Sequence, residues 1–454
     1  MPLPPHISTT GTDARTDTRT GIRARSGGPR TVRAAAVVSA APRAEARRTG
    51  AAVRVLPYTL LTAVLSSRAV WLLFAGLACG FALVTEVATH RFWGGTAAVG
   101  YLSAAVAPGR RAPVLAAALA AALPLAVLVG TGAAQLEVEV VEAAATRLLD
   151  SGSPYHPDPA RTADYNPYLP AMALFGLPSA LTGGGPLTDP RLWFGLTFAI
   201  ILTLAFRRPG PGNAGTRTPG GALRPAFLLA CPPVAMSLAV SGIDLPLIGL
   251  MCLGTVLAVR RRPGTAGLVL GLASAMKWTA WPGLAVACAA LAAIHGRRTA
   301  LRCGLVAATT VTALVVPVLI GDPASFFRHA VAFPLGLADT PSPAASPLPG
   351  RLIADCLPGG SGRSVALALL CAAALLMAVS LVARPPTTVR AAANRTALGL
   401  LLALGLAPAS RYGYLLYPLV LAFLALSAHR PAPPAPPATG RHLTPCRSRS
   451  RPHH

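Results

Sequence analysis

The sequence predicts an all-α, polytopic transmembrane helix bundle of about twelve spans, and three observations predict it. The chain of 454 residues is 53% hydrophobic and only 12% charged, about half the charge that a soluble domain carries. Apolar runs suited to a hydrocarbon core of ~30 Å recur along it. Its arginines gather in short clusters between those runs and in two tails, which is the pattern of the positive-inside rule. That distribution accounts for the net charge of +25 without nucleic acid, whose binding calls for a basic face on a folded domain.

Taken in order, residues 1–57 are rich in Arg, Thr, Ala and Gly and hold no apolar core of signal-peptide length. They read as a disordered, basic cytoplasmic tail. Residues 429–454, heavy in Pro, Arg and His, read the same way. The stretch 58–428 between them is the transmembrane domain. Its candidate spans are 69–87, 93–107, 112–130, 191–206, 224–240, 243–259, 265–276, 279–294, 302–320, 364–383, 396–409 and 413–428. Several fall short of the ~20 residues of a straight spanning helix and are expected to be broken or packed inside the bundle.

With the N-terminus inside, twelve spans bring every interior arginine cluster to the cytoplasmic side. These are Arg110–Arg111, Arg207–Arg208 with Arg217 and Arg224, Arg260–Arg262, Arg297–Arg298, and Arg384 with Arg390 and Arg395. The apolar stretch 168–181 would add a thirteenth crossing and invert the rest. With Pro167, Pro170 and Pro178 it is expected as an interfacial or re-entrant helix on the outer side. The outer face then holds a first loop, 131–190, and a second, 321–363. It also holds the turns at Ser241–Asp244 and Ala409–Tyr412 and the neighbourhood of Lys277. The acidic residues from Glu137 to Asp355 all fall there, which marks a working surface. The eight cysteines show no paired spacing and imply no disulfide framework.

Four groups carry the chemistry on offer. Glu137 opens the segment EVEVVEAAATRLLDSGSPYHP just past a span, where a carboxylate partly screened from bulk water suits a general base; a solvated juxtamembrane helix is the plain alternative. Lys277 is the only lysine of the chain and lies in GLASAMKWTAWPG between two apolar half-spans. An ionisable group at that depth marks a functional site or a paired charge, unless it snorkels to the interface. Arg411, in APASRYGYLLYP, departs from the positive-inside pattern and suits a phosphate gripped by two nitrogens, or an acidic partner. Asp244, in SGIDLPL, either pairs with Lys277 or caps a helix. In the second loop, Arg328 and His329 are further phosphate or acid–base candidates, and SPAASPLPG suits a lid or an inert connection. No zinc spacing, phosphate-binding P-loop, GxSxG or dinucleotide fingerprint is present.

The ordered set LLDSGSPY, YNPYLPAMALFGLP, SGIDLPLIGL, GLVLGLASAMKWTAWP and LAPASRYGYLLYPLVL resembles glycosyltransferase family 87 over residues 69–428. These are actinobacterial membrane mannosyltransferases of the GT-C fold that use polyprenyl-phosphate-linked mannose. The resemblance implies a first-loop carboxylate eighteen residues before the Tyr of a Gly-x-Pro-Tyr element. Counting back from Tyr155 gives Glu137, with Glu139 as its rival; the family residue is usually Asp. The family's Lys and Pro element corresponds to Lys277 and Pro282, with the Pro displaced, and its Ser-x-x-x-Tyr element to Ser410 and Tyr414. Where the family often reads Trp-Asp-His, this chain reads Arg411, Tyr412 and Gly413.

The resemblance therefore implies an inverting hexosyltransferase of the plasma membrane without metal or cofactor. Glu137 is the expected base, and Lys277 and Arg411 grip the donor phosphate. Tyr155, Asp244, Tyr412, Tyr414, Arg328 and His329 contact substrate. The implied partners are a polyprenyl-phosphate sugar and a lipid or glycan acceptor. A transporter and a non-catalytic relative of the family are the competing readings; a transporter would carry its polar residues at the midplane and often an internal repeat, and none is visible.

Overall fold

The computed structural model describes residues 67–109, 111–206, 223–338, 340, 343–357 and 361–428. The two tails, Arg110, the cluster from Arg207 to Arg217, and Asp339 lie outside these residues. Everything described belongs to the unit running from Ala52 to His454. Among the described residues the chain is all-α, with no β-structure beyond one isolated bridge between Ala345 and Ser410. Among the described residues five helices are long and apolar enough to cross a bilayer: Arg111–Gly130, Trp278–His295, Arg297–Gly321, Ser361–Ala383 and Val389–Leu406. Other apolar helices are shorter, at 10–17 residues. The chain is an all-α membrane protein.

Helices α1 (Arg68–Val84) and α2 (Ala88–Val106) form a hairpin. Gly94 sets its spacing, because a Cβ there would lie 2.7 Å from the Ala78 carbonyl oxygen. Small residues of this kind let membrane helices approach closely. In α3 (Arg111–Gly130) the backbone relaxes to a π-turn over Ala118–Ala122. Pro124 is the reason: it has no N–H to give the Ala120 carbonyl one turn back. The Trp93 indole N–H donates to that carbonyl instead, at 2.9 Å.

Next, α4 (Leu136–Ser151) starts after a turn at Gly132, whose φ of +68° favours glycine. It buries Val138, Val140, Val141, Ala144 and Ala145 along one face. The stretch expected as a re-entrant helix is a 3-10 turn, Pro170–Gly176, running into the short α5 (Leu177–Thr182). After α6 (Pro190–Phe206), the expected span 224–240 divides into α7 (Leu223–Ala230) and α8 (Pro232–Val240). Pro232 and Pro233 break it, since the residue before a proline is pushed out of the helical region; Cys231 is extended. The Tyr101 hydroxyl donates to the Ala230 carbonyl left at the break, at 2.7 Å.

The centre of the bundle is α9 (Leu245–Val259), buried along nearly its whole length. Beside it run α10 (Pro263–Met276) and α11 (Trp281–His295), and α12 (Arg297–Gly321) packs on those two. Then come α13 (Pro349–Cys356), α14 (Ser361–Ala383), α15 (Val389–Leu406) and α16 (Leu416–Ser427). Arginine sits at one end of the central helices and the polar residues of interest at the other. Asp244 precedes α9 and Arg260 follows it; Arg262 precedes α10 and Lys277 follows it. Fifteen helical residues separate such ends by about 22 Å.

Candidate functional site

Lys277 stands at a break between two helices. Its backbone is extended, with φ −161° and ψ 144°, and a 3-10 turn at Trp278–Ala280 follows before α11 begins. The end of α10 is closed by neighbours: Leu169 N–H donates to the Met276 carbonyl at 2.9 Å and the Trp281 indole to the Ser274 carbonyl at 3.1 Å. The ammonium turns inward and pairs with Asp244 at 2.7 Å, both residues being buried. Asp244 occupies the N-cap of α9 but its carboxylate caps no N–H. It accepts instead from Lys277 and, at 2.7 Å, from the Tyr417 hydroxyl, which Thr279 Oγ1 meets at 3.0 Å. Tyrosine rings surround the ammonium, with Nζ 4.6 Å from the centroid of Tyr414 and 5.4 Å from that of Tyr168. Their faces are favourable to a cation.

A second ion pair closes the other side. Glu137 lies in the first turn of α4, where the helix dipole favours a carboxylate. Its Oε1 accepts from Arg411, the N-cap residue of the Tyr412–Leu415 turn. The start of α4 is held in place by its neighbours. Gln135 N–H donates to the Val240 carbonyl at 3.1 Å. Arg191, fully buried, pairs with Asp189 at 2.7 Å and donates to the carbonyls of Ala133, at 2.7 Å, and Ala239, at 3.2 Å. One guanidinium thus joins the turn before α4 to the C-terminal end of α8, where carbonyls lack helical partners.

Glu137, Lys277, Arg411 and Tyr414 all line one cavity of about 200 Å³. Thr162, Tyr165, Tyr168, Trp278 and Thr279 share its wall, and Phe333, Pro334, Pro343 and Ala344 come from the second loop. That loop is tied to the Arg411 segment: Ser346 N–H donates to the Ser410 carbonyl at 3.0 Å and Tyr412 N–H to Ser346 Oγ at 3.2 Å. Two cations and two carboxylates balance within the site. Mixed aromatic and apolar walls with a few polar groups are the make-up of a small-molecule site. No three His, Cys, Asp or Glu side chains converge as a metal-binding group among the described residues.

Six of the sequence candidates are absent from the cavity wall, and Asp244, paired with Lys277, is one of them. Glu139 is exposed and absent from the cavity wall, because two residues turn a helix by about 200°. Tyr155 is buried, its hydroxyl donating to the Tyr168 carbonyl at 3.0 Å and its ring stacking on His329. Burial, with Asp322 nearby, pushes its phenol above the ordinary value. His329 is itself fully buried; Nδ1 accepts from Asn166 N–H at 3.0 Å and Nε2 donates to the His156 carbonyl at 2.8 Å. Arg328 donates to the Pro157 carbonyl at 2.8 Å. These groups fasten the stretch 155–168 to the stretch 328–329. Tyr412 is 54% exposed and does not line the cavity.

Tyr168, Tyr417, Trp278 and Thr279 enter the site without having been singled out from the sequence. Trp278 and Thr279 directly follow Lys277, and that adjacency was the available signal; for Tyr168 the signal was the density of aromatics and prolines in YNPYLP. Tyr417 sits three residues past Tyr414, hence on the same side of a helical turn. A family model described as glycosyltransferase family 87 matches residues 166–408, more than half of the chain. The matched stretch includes Tyr168, Asp244 and Lys277, and ends short of Arg411. No curated protein and no solved structure gives a significant match.

Proposed function

The chain belongs to glycosyltransferase family 87, and from that membership we propose that it moves a hexose from a polyprenyl-phosphate donor to a glycolipid or glycan acceptor. The sugar is mannose, by the chain's resemblance to the family's mannosyltransferases. In this reading the fold is GT-C-like with about twelve spans in the plasma membrane, both termini are cytoplasmic, and the site faces outward. The arginine-bearing helix ends support that orientation, since they lie opposite the cavity.

One observation carries the proposal: a carboxylate, an ammonium and a guanidinium from distant parts of the chain line the same aromatic-walled cavity. The acceptor hydroxyl attacks the anomeric carbon, and the bond from that carbon to the phosphate oxygen breaks. The bonding electrons leave with the phosphate, Glu137 takes the hydroxyl proton, and the configuration inverts. Lys277 and Arg411 meet the charge that grows on the leaving phosphate, where fixed cations lower the barrier most. Asp244 holds Lys277 in place, and Tyr414 and Tyr168 flank it.

Glu137 begins this sequence bound to Arg411, so the base is engaged before substrate arrives. A donor phosphate competes for that guanidinium, to which it presents the better-matched partner. Its arrival releases the carboxylate, which makes donor binding the first step and proton removal the second.

The test is transfer itself. Membranes containing the chain are incubated with radiolabelled polyprenyl-phosphate-mannose and lipid extract, beside membranes carrying Glu137→Gln. The wild type is expected to label the extract and the variant to lose most of that signal. Transfer by neither protein overturns the proposed donor, and equal transfer by both moves the base to another group.

A further inference from the structure

The hydrogen bonds behind Lys277 lead back to the cavity wall at a second residue. Asp244 Oδ1 accepts from Lys277 and from the Tyr417 hydroxyl, each at 2.7 Å, and Thr279 Oγ1 lies 3.0 Å from that same hydroxyl. Tyr417 is fully buried, whereas Thr279 is half-buried and lines the cavity beside Lys277. The chain of bonds leaves the cavity at the ammonium and returns to it at the threonine.

The number of protons along this chain fixes its direction. A carboxylate in an ion pair only accepts, and a hydroxyl carries one proton and two lone pairs. Tyr417 therefore spends its proton on Asp244, and Thr279 spends its own on Tyr417. The Thr279 O–H bond points into the buried network, so its oxygen keeps only lone pairs for a ligand. In this state the threonine accepts hydrogen bonds and donates none.

That polarity separates the two halves of a sugar phosphate. The oxygens of a phosphodiester have no proton to give, so against Thr279 they would lose water and gain no bond. A sugar hydroxyl can donate. Lys277 and Thr279 are two residues apart, a length of chain that spans at most about 7 Å. A group held by Thr279 is thus a close neighbour of a phosphate held by Lys277.

We infer that Thr279 accepts a hydrogen bond from one hydroxyl of the donor hexose, while the phosphate lies on the Lys277 side; this rests on the sugar-phosphate donor proposed above. Thr279 is then a specificity-determining residue. Tyr417 is a positioning residue, which keeps the threonine proton turned away from the cavity.

Binding is measured on the full chain in detergent, without acceptor. The probes are polyprenyl-phosphate-mannose, its monodeoxy analogues, and polyprenyl phosphate without a sugar. Thr279→Val keeps the shape of the side chain and removes the hydroxyl. It is expected to weaken the parent donor about three- to tenfold, the worth of one neutral hydrogen bond. It should leave one deoxy donor and the sugar-free lipid nearly unaffected, so that losing the threonine and losing that one sugar hydroxyl are not additive. Thr279→Ser, which keeps the oxygen, should retain the wild-type pattern, and Thr279→Ala takes the place of the valine variant if that one fails to fold. Equal weakening of the parent and every deoxy donor, or weakening of none, overturns the contact and leaves the donor standing. Weakening of the sugar-free lipid by the same factor reassigns Thr279 to the phosphate and overturns the contact too. A wild type that binds none of the probes overturns the donor itself, and the contact with it.

Discussion

Arg411 and Glu137, 274 residues apart in the chain, form an ion pair on the wall of a single cavity. The carboxylate that suits a base and the guanidinium that suits a phosphate are thus each other's partner. Lys277 is held differently, by Asp244 in a buried pair. The Arg411–Glu137 pair is partly exposed and the Lys277–Asp244 pair is buried.

Glu137→Gln is expected to lower the rate of sugar transfer by about 10²–10⁴, the usual contribution of a positioned base. Glu139→Gln should leave it within about twofold, since that side chain is exposed and off the cavity wall. Single-turnover transfer by the two variants checks this, and equal losses would displace Glu137 from its role.

Arg411→Gln is expected to raise KM for the donor by about tenfold or more, the worth of one charge-assisted bond to phosphate, with KM for the acceptor nearly unchanged. Steady-state kinetics with each substrate varied separately give the answer. An effect confined to the acceptor would reassign Arg411 to the sugar hydroxyls.

Removing Asp244 alone leaves Lys277 buried without its counter-charge. Asp244→Ala is expected to cost about 3–5 kcal/mol of stability. The double change Asp244→Asn with Lys277→Met should restore much of that loss without restoring transfer. Thermal denaturation in detergent beside the transfer assay separates the two effects. Recovery of activity in the double variant would show that the ammonium is structural.

His329 predicts a pH dependence. Burial, with Arg328, Arg147 and His156 adding to it, holds its imidazole down at about 4, from an ordinary 6.5. The unfolded chain takes up this proton first as the pH falls. Stability is therefore complete above about 6.5 and declines toward 4, by roughly 3 kcal/mol if the full shift is realised. Asp164, held at about 2 by its bonds to Arg161, loses its contribution in a lower window, below its ordinary 3.8. A plot of Tm against pH between 4 and 7 is expected to slope for wild type and to flatten for His329→Gln. Parallel slopes would place the dependence on another group.

Much of the architecture was legible because its causes are local. Apolar runs report helices wherever they occur, whereas the π-turn before Pro124 and the break at Pro232–Pro233 were not read from the sequence. The split of 224–240 was missed because hydropathy continues through a break that only proline chemistry causes. The segment 168–181 folds as a 3-10 turn followed by a short helix, a geometry its hydropathy did not indicate.

By itself the sequence determined that the chain is an all-α membrane protein, that Lys277 falls between two half-helices, and that most arginines gather in clusters between apolar runs. These follow from composition, from local backbone rules and from the cost of bare charge in hydrocarbon. Only the tertiary structure decided that Arg411 meets Glu137, that Asp244 serves Lys277 rather than its helix cap, and that Tyr155 and His329 fasten loops instead of lining the cavity. A side chain's partner depends on which helix faces arrive beside it, and a shift of two residues turns a helical side chain to the far side.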